Sequence, residues 1–70
     1  MEEFKLKSSE YIALCDLLKV TGLCGTGGFA KNVIAEGMVK VDGEVELRKR
    51  CKIRADQVVD YQGKKLKVIA

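Results

Sequence analysis

Positions 48 to 54 read RKRCKIR, which is five cations, three of them arginine, and no acid in seven residues. A guanidinium forks onto phosphate or carboxylate through paired N–H groups, so these residue types offer anion recognition rather than bond-breaking chemistry. Lysines at exposed strand edges also protect against aggregation, and a run of charge can be simply a solvated face. A merely soluble surface mixes signs, however, and this stretch does not. The chain's net charge is only +3, so the basic character is concentrated here, which points to a bound polyanion. If the backbone stays extended, Arg48, Arg50, Lys52 and Arg54 project from one face, successive members about 6 to 7 Å apart. Leu47, Lys49, Cys51 and Ile53 then share the other face. The candidate phosphate contacts are Arg48, Lys49, Arg50, Lys52 and Arg54, assisted by Lys31 and Lys40.

Other chemistries find less support. There is no histidine, which removes the commonest general acid/base. The acidic pairs Glu2 and Glu3, Glu44 and Glu46, Asp56 and Asp60 lie in hydrophilic surroundings, with no sign of enforced burial. Three cysteines, Cys15, Cys24 and Cys51, form no CxxC pair, so neither a zinc site nor a disulfide framework is expected, and no cofactor is implied. Cys51, between Arg50 and Lys52, would tend towards thiolate if exposed; alternation assigns it to the core. GTGGFA, residues 25 to 30, formally matches a dinucleotide-binding glycine pattern, but that pattern needs a preceding strand and a parallel sheet. These glycines form either a permissive turn or an anion site at a helix N-terminus with Lys31 one turn in, the turn being the commoner role. With two Phe and two Tyr, stacking of unpaired bases is poorly supported, and recognition of backbone and shape is expected instead.

Seventy residues, 47% hydrophobic and 33% charged, make one folded domain near the lower size limit for a single core. The start, MEEFKLKSSE, lacks the cationic and apolar segments of a signal peptide. No later apolar run reaches membrane length, so a cytoplasmic location without membrane association is expected. In SSEYIALCDLLKV, Ser8 or Ser9 is placed to cap a helix whose apolar face is Tyr11, Leu14, Cys15 and Leu18, ending at Gly22. TGGFAKNVIAEG predicts a second helix with Phe29, Ala30, Val33 and Ile34 inward and Gly37 just past its end. Beyond Gly37 the period becomes two: Val39 and Val41, a turn at Asp42-Gly43, then Val45 and Leu47. A two-residue loop would set Glu44 and Glu46 opposite the valines, so the valine pairing predicts a three-residue connection with a bulge. Strands are expected at Gln57 to Tyr61 and Lys65 to Ile69, turning at Gln62-Gly63, with Phe4 to Leu6 as an edge strand.

This order of elements resembles the S-four RNA-binding domain, named after a small-subunit ribosomal protein. The resemblance rests on Leu18, Gly22-Leu23, Thr26-Gly27, Ala30 and IAEGMVKVDG, Ile34 to Gly43, and covers about residues 9 to 61. CDLLK and AKNVIAEGMVKVDGEVELRKRCKI are especially similar to small standalone bacterial members. The resemblance implies an α/β (α+β) fold, two N-terminal helices packed on a small, mainly antiparallel sheet with an αL motif, and binding of structured ribosomal or transfer RNA without catalysis. The arginine usual after the Ser/Thr is Gly27 here, the usual first-helix arginine and aspartate fall on Ala13 and Cys15, and the usual Gly-Asp is Ala55-Asp56. The cations at 48 to 54 are therefore expected to replace contacts made elsewhere from the helices. The expected protein is a single monomeric RNA-binding domain over residues 1–70, associated with rRNA, tRNA or the ribosome. The alternative is a module that docks its basic strand on an acidic, ribosome-associated protein.

Overall fold

The computed structural model describes Met1 to Ala70. Its elements are β1 (Glu2–Lys5), β2 (Ile12–Ala13), α1 (Leu14–Val20), α2 (Gly27–Ala35), β3 (Val39–Val41), β4 (Glu44–Val45), β5 (Lys52–Ile53), β6 (Val58–Tyr61) and β7 (Lys64–Ile69). The fold is α+β, with two helices beside a mixed sheet of order β1-β7-β6-β3-β4 and a separate two-stranded sheet, β2-β5. Only the β1–β7 pairing is parallel. Two strands precede the first helix, so the expectation of helices at the N-terminus is corrected, whereas an edge strand at the start is found.

The local signals around α2 are obeyed. Thr26 caps it, its Oγ1 accepting the Phe29 N–H at 3.1 Å, and the chain leaves through Gly37 at φ +77°. Ala30, Val33 and Ile34 are buried, but Phe29 is 50% exposed. Phe29, one turn before Val33, lies at the edge of that apolar face and is therefore only partly covered.

α1 departs further from the sequence reading. It starts at Leu14 with no side-chain cap, because Ile12 and Ala13 are committed to pairing with β5. The first free helical N–H groups find partners elsewhere: Leu14 donates to the Cys51 carbonyl at 2.9 Å and Cys15 to the Lys49 carbonyl at 3.0 Å. Ser8 and Ser9 therefore cap nothing here, and Tyr11 lies outside the helix, 42% exposed.

The turn at Asp42-Gly43 is the other correction. Val41 pairs with Glu44 and Lys40 with Val45, a two-residue connection with both turn residues left-handed, φ 52° and 86°, as in type I′ hairpins. No bulge is needed because β4 is a short edge strand where Glu44 stays in water, while Glu46 is drawn to Arg48. Val45 and Leu47 consequently lie on the outer face, exposed. The Gln62-Gly63 turn is of the same kind and lies where the sequence places it.

One cluster of buried residues lies between the helices and both sheets: Leu14, Leu17 and Leu18 from α1, Ile34 from α2, and Val39, Ile53, Val59, Leu66 and Val68 from the strands. Each fully buried aliphatic side chain of this kind contributes about 1.5 to 3 kcal/mol relative to exposure. Cys15 and Cys24 are buried free thiols and Cys51 is half-buried against the same cluster. No helix is long and apolar enough to cross a membrane.

Candidate functional site

The cation-rich segment is not one extended strand. The Cys51 N–H returns to the Arg48 carbonyl at 3.1 Å, closing a turn with Lys49 and Arg50 at its corner. The turn brings the Lys49 and Cys51 carbonyls onto adjacent N–H groups at the start of α1, whereas in an extended strand residues two apart stand roughly 6 to 7 Å from each other. The continuous ridge of Arg48, Arg50, Lys52 and Arg54 is thus replaced by a loop. Lys49 and Arg50 form its tip, Arg48 stands at its base, and Lys52 and Arg54 flank Ile53 on β5. All five cations are exposed. Ile53 is fully buried beneath them, but Leu47, expected on the same inward face, is 60% exposed.

The five cations are not equivalent. Arg48 grips Glu46 through two bonds, Nε to Oε2 at 2.9 Å and Nη2 to Oε1 at 3.1 Å, and its backbone N–H also donates to Oε2 at 2.9 Å. The side chains are 78% and 16% exposed for Arg48 and Glu46. The hydrogen bonds from the Arg48 side chain and backbone hold the Glu46 carboxyl at about 2, and the same side-chain bond pushes the Arg48 guanidinium up. This is the only ion pair in the structure, so Lys49, Arg50, Lys52 and Arg54 carry unmatched charge.

The Cys51 thiol is not the activated group that its neighbours in sequence could have made it. Burial pushes its pKa up, the Glu46 carboxylate adds to that, and Arg48 opposes them only in part. An open depression of about 370 Å³, lined by Arg48, Arg50, Cys51 and Lys52, lies in the loop. A second, of about 440 Å³, also touches Arg48 and Lys52 but includes Asp42, Glu44 and Glu46. The first can accept an anion such as phosphate; the second mixes signs.

A hydrogen-bonded brace fixes the chain after β5. Gln57 Oε1 accepts the Arg54 N–H at 2.8 Å, and Gln57 Nε2 donates to Asp42 Oδ2 at 3.3 Å. Asp42 Oδ1 in turn accepts the Val58 N–H at 2.9 Å. The hairpin turn thus positions the backbone beneath Arg54.

Lys31 and Lys40 stand apart from this group. Lys31 is on the exposed side of α2, and Lys40 is on the outer face of β3, in register with Asp60 and Val45. Neither lines the depressions. The glycine-rich segment is likewise remote in the fold. A Cβ on Gly27 would meet Lys19, near the C-terminal end of α1, whereas the cation loop seals the other end of that helix.

Two residues outside the 48 to 54 segment, Glu46 and Tyr11, stand beside the loop. Glu46 could have been found from its opposite charge two positions before Arg48. Tyr11 could not, because its neighbourhood depends on the β2–β5 pairing. That pairing brings Lys52 Nζ to 4.9 Å and Arg54 Cζ to 5.7 Å from the ring centroid.

Comparison with known proteins matches this geometry to a family. A family model described as the S4 domain matches residues 4–69. YbcJ of Escherichia coli (strain K12) is 51% identical over 70 residues, all of both chains, and YbcJ of Shigella flexneri is equally so. The solution structure of YbcJ from E. coli, which reveals an αL motif involved in RNA binding, aligns with all of this chain and 89% of that one at a TM-score of 0.78. The crystal structure of the 30S ribosomal protein S4e from Thermoplasma acidophilum shares the fold at 22% identity. That match has a TM-score of 0.62 and covers 83% of this chain and 31% of that one.

Proposed function

The chain belongs to the S4 domain family, and from that premise we propose that it is a non-catalytic module, one domain over residues 1–70, that binds structured RNA such as rRNA or tRNA. The observation that carries this reading is the loop anchored to α1 with four cations unmatched by any acid, two of which, Arg50 and Lys52, line an open depression. Lys49, Arg50, Lys52 and Arg54 are the principal phosphate contacts, Arg48 contributes when it leaves Glu46, and Lys31 and Lys40 serve as outlying contacts along a longer RNA. The relationship to YbcJ, whose αL motif is involved in RNA binding, supports the same conclusion. In this reading the protein acts in the cytoplasm as a monomer, on RNA free or within the ribosome.

The deciding experiment is an NMR amide-shift titration of labelled protein with mixed transfer RNA at two salt concentrations. Salt-sensitive shifts concentrated at residues 48 to 54 are expected. A silent spectrum from folded protein overturns the reading. A second reading, docking on an acidic protein, draws on Arg48 already holding a carboxylate through two bonds. Retention of a captured protein after nuclease treatment of a pull-down would favour it.

A further inference from the structure

We propose that Tyr11 is a nucleotide-stacking residue, so that the ligand of the cation loop is a structured RNA with an unpaired nucleotide beside its duplex. The inference rests on the RNA-binding reading and adds to it a feature of the ligand that phosphate contacts alone do not specify.

Three observations place Tyr11 in this role. First, the register of the small sheet pairs Ile12 with Ile53 and Ala13 with Lys52. Directly opposed residues share a face, so Ile12 and Ile53 face the core, and continuing the register sets Tyr11 opposite Arg54 on the outer face. Second, Tyr11 is 42% exposed, while Tyr61, the other tyrosine, is buried. Third, the two cations over the ring are at 4.9 and 5.7 Å, within the range of cation–π attraction. Their Cα atoms lie two residues apart along a strand, roughly 6 to 7 Å, comparable to the separation of successive phosphates in an extended RNA strand.

The arrangement fits one unpaired nucleotide. Its base rests on the exposed ring, and Lys52 and Arg54 move from the ring to the phosphates on either side. Stacking on an aromatic ring is tolerant of base identity because every base has a π-face. The expected preference is therefore for an unpaired nucleotide, not for a sequence. A tyrosine with only a structural role would steady the two cations and affect paired and unpaired RNA alike.

The test compares a blunt RNA hairpin with the same hairpin carrying a short single-stranded adenosine tail, using wild type, Tyr11→Leu and Tyr11→Phe. Wild type is expected to prefer the tailed RNA by about 5- to 150-fold, the range that aromatic stacking of one base provides. Tyr11→Leu should bind both RNAs with the affinity that wild type has for the blunt form, and Tyr11→Phe should keep the preference. In wild type, the Tyr11 ring protons should move upfield only with the tailed RNA, a readout that needs no variant to fold. Equal affinity for the two RNAs with an unmoved ring overturns the stacking role and leaves the phosphate-binding reading standing. An equal loss on both RNAs in Tyr11→Leu also overturns it, in favour of cation positioning. Failure of wild type to bind either RNA overturns both.

Discussion

Arg48 and Arg50 look equivalent in the sequence, but the structure gives them different surroundings, which predicts different weights in RNA binding. Arg48 has its charge matched by Glu46 through two side-chain bonds, whereas Arg50, two residues on, has no acidic partner. The perturbation is to compare Arg48→Gln with Arg50→Gln by fluorescence anisotropy of a labelled structured RNA over a range of salt. If the four unmatched cations each take one phosphate, the log–log slope of affinity against salt is about −3.6 on a duplex, a loss of about 150-fold between 50 and 200 mM salt. Arg50→Gln should reduce the slope to about −2.7 and that loss to about 40-fold. Arg48→Gln should leave the slope near the wild-type value, its affinity falling mainly because Glu46 is left without a partner. Glu46→Gln frees Arg48 and should steepen the slope by about 0.9. Equal slope changes for the two arginine variants would refute the assignment of distinct roles.

The Glu46 carboxyl, held at about 2 against an ordinary 4.5, stabilises the folded state fully above the ordinary value and loses that contribution as pH falls through about 2. Wild type should therefore melt above Glu46→Gln near neutrality, with the gap closing on acidification, as followed by circular dichroism. Thr26→Ala removes the cap of α2 and should cost about 1 kcal/mol, lowering the melting temperature by about 4 to 8 °C for a domain of this size. Gly37→Ala should cost about 1 to 2 kcal/mol through its left-handed backbone. Its new Cβ would meet Val45 Cγ1 at 3.6 Å and Leu47 Cδ2 at 3.8 Å, which is ordinary contact, so denaturant melts should show strain without a packing defect.

What the sequence revealed was what is decided locally. The Thr26 cap, the burial of Ala30, Val33 and Ile34, and the glycine at 37 follow from short-range periodicity and backbone preference, and so does the Gln62-Gly63 turn. The start of α1 was hidden because its capping carbonyls come from residues 49 and 51, and no nearby serine signals that. The register at Asp42-Gly43 is hidden because alternation alone sets glutamates against valines and so disfavours the pairing that forms. An edge strand and the Arg48 side chain remove that conflict. The composition of the candidate site was legible as five cations without an acid, but its shape was not. The turn at Lys49-Arg50 contains no glycine, proline or asparagine to announce it. The spacing of Tyr11 from Leu14 and Leu18 points to a helix face, a periodicity overridden by two residues of strand pairing.

The hydrogen bonds from Leu14 and Cys15 to the loop carbonyls have a kinetic consequence. No helix satisfies its first N–H groups internally, and here those of Leu14 and Cys15 find their acceptors far along the chain, so the start of α1 is capped only once the loop has docked. The loop and the helix then open together, and the Leu14 and Cys15 amides should exchange with solvent only in openings that also release the loop. Those two amides are built-in reporters of the loop. A ligand that clamps the loop should slow their exchange without touching them, so deuterium exchange can time the opening of a surface segment from within the core.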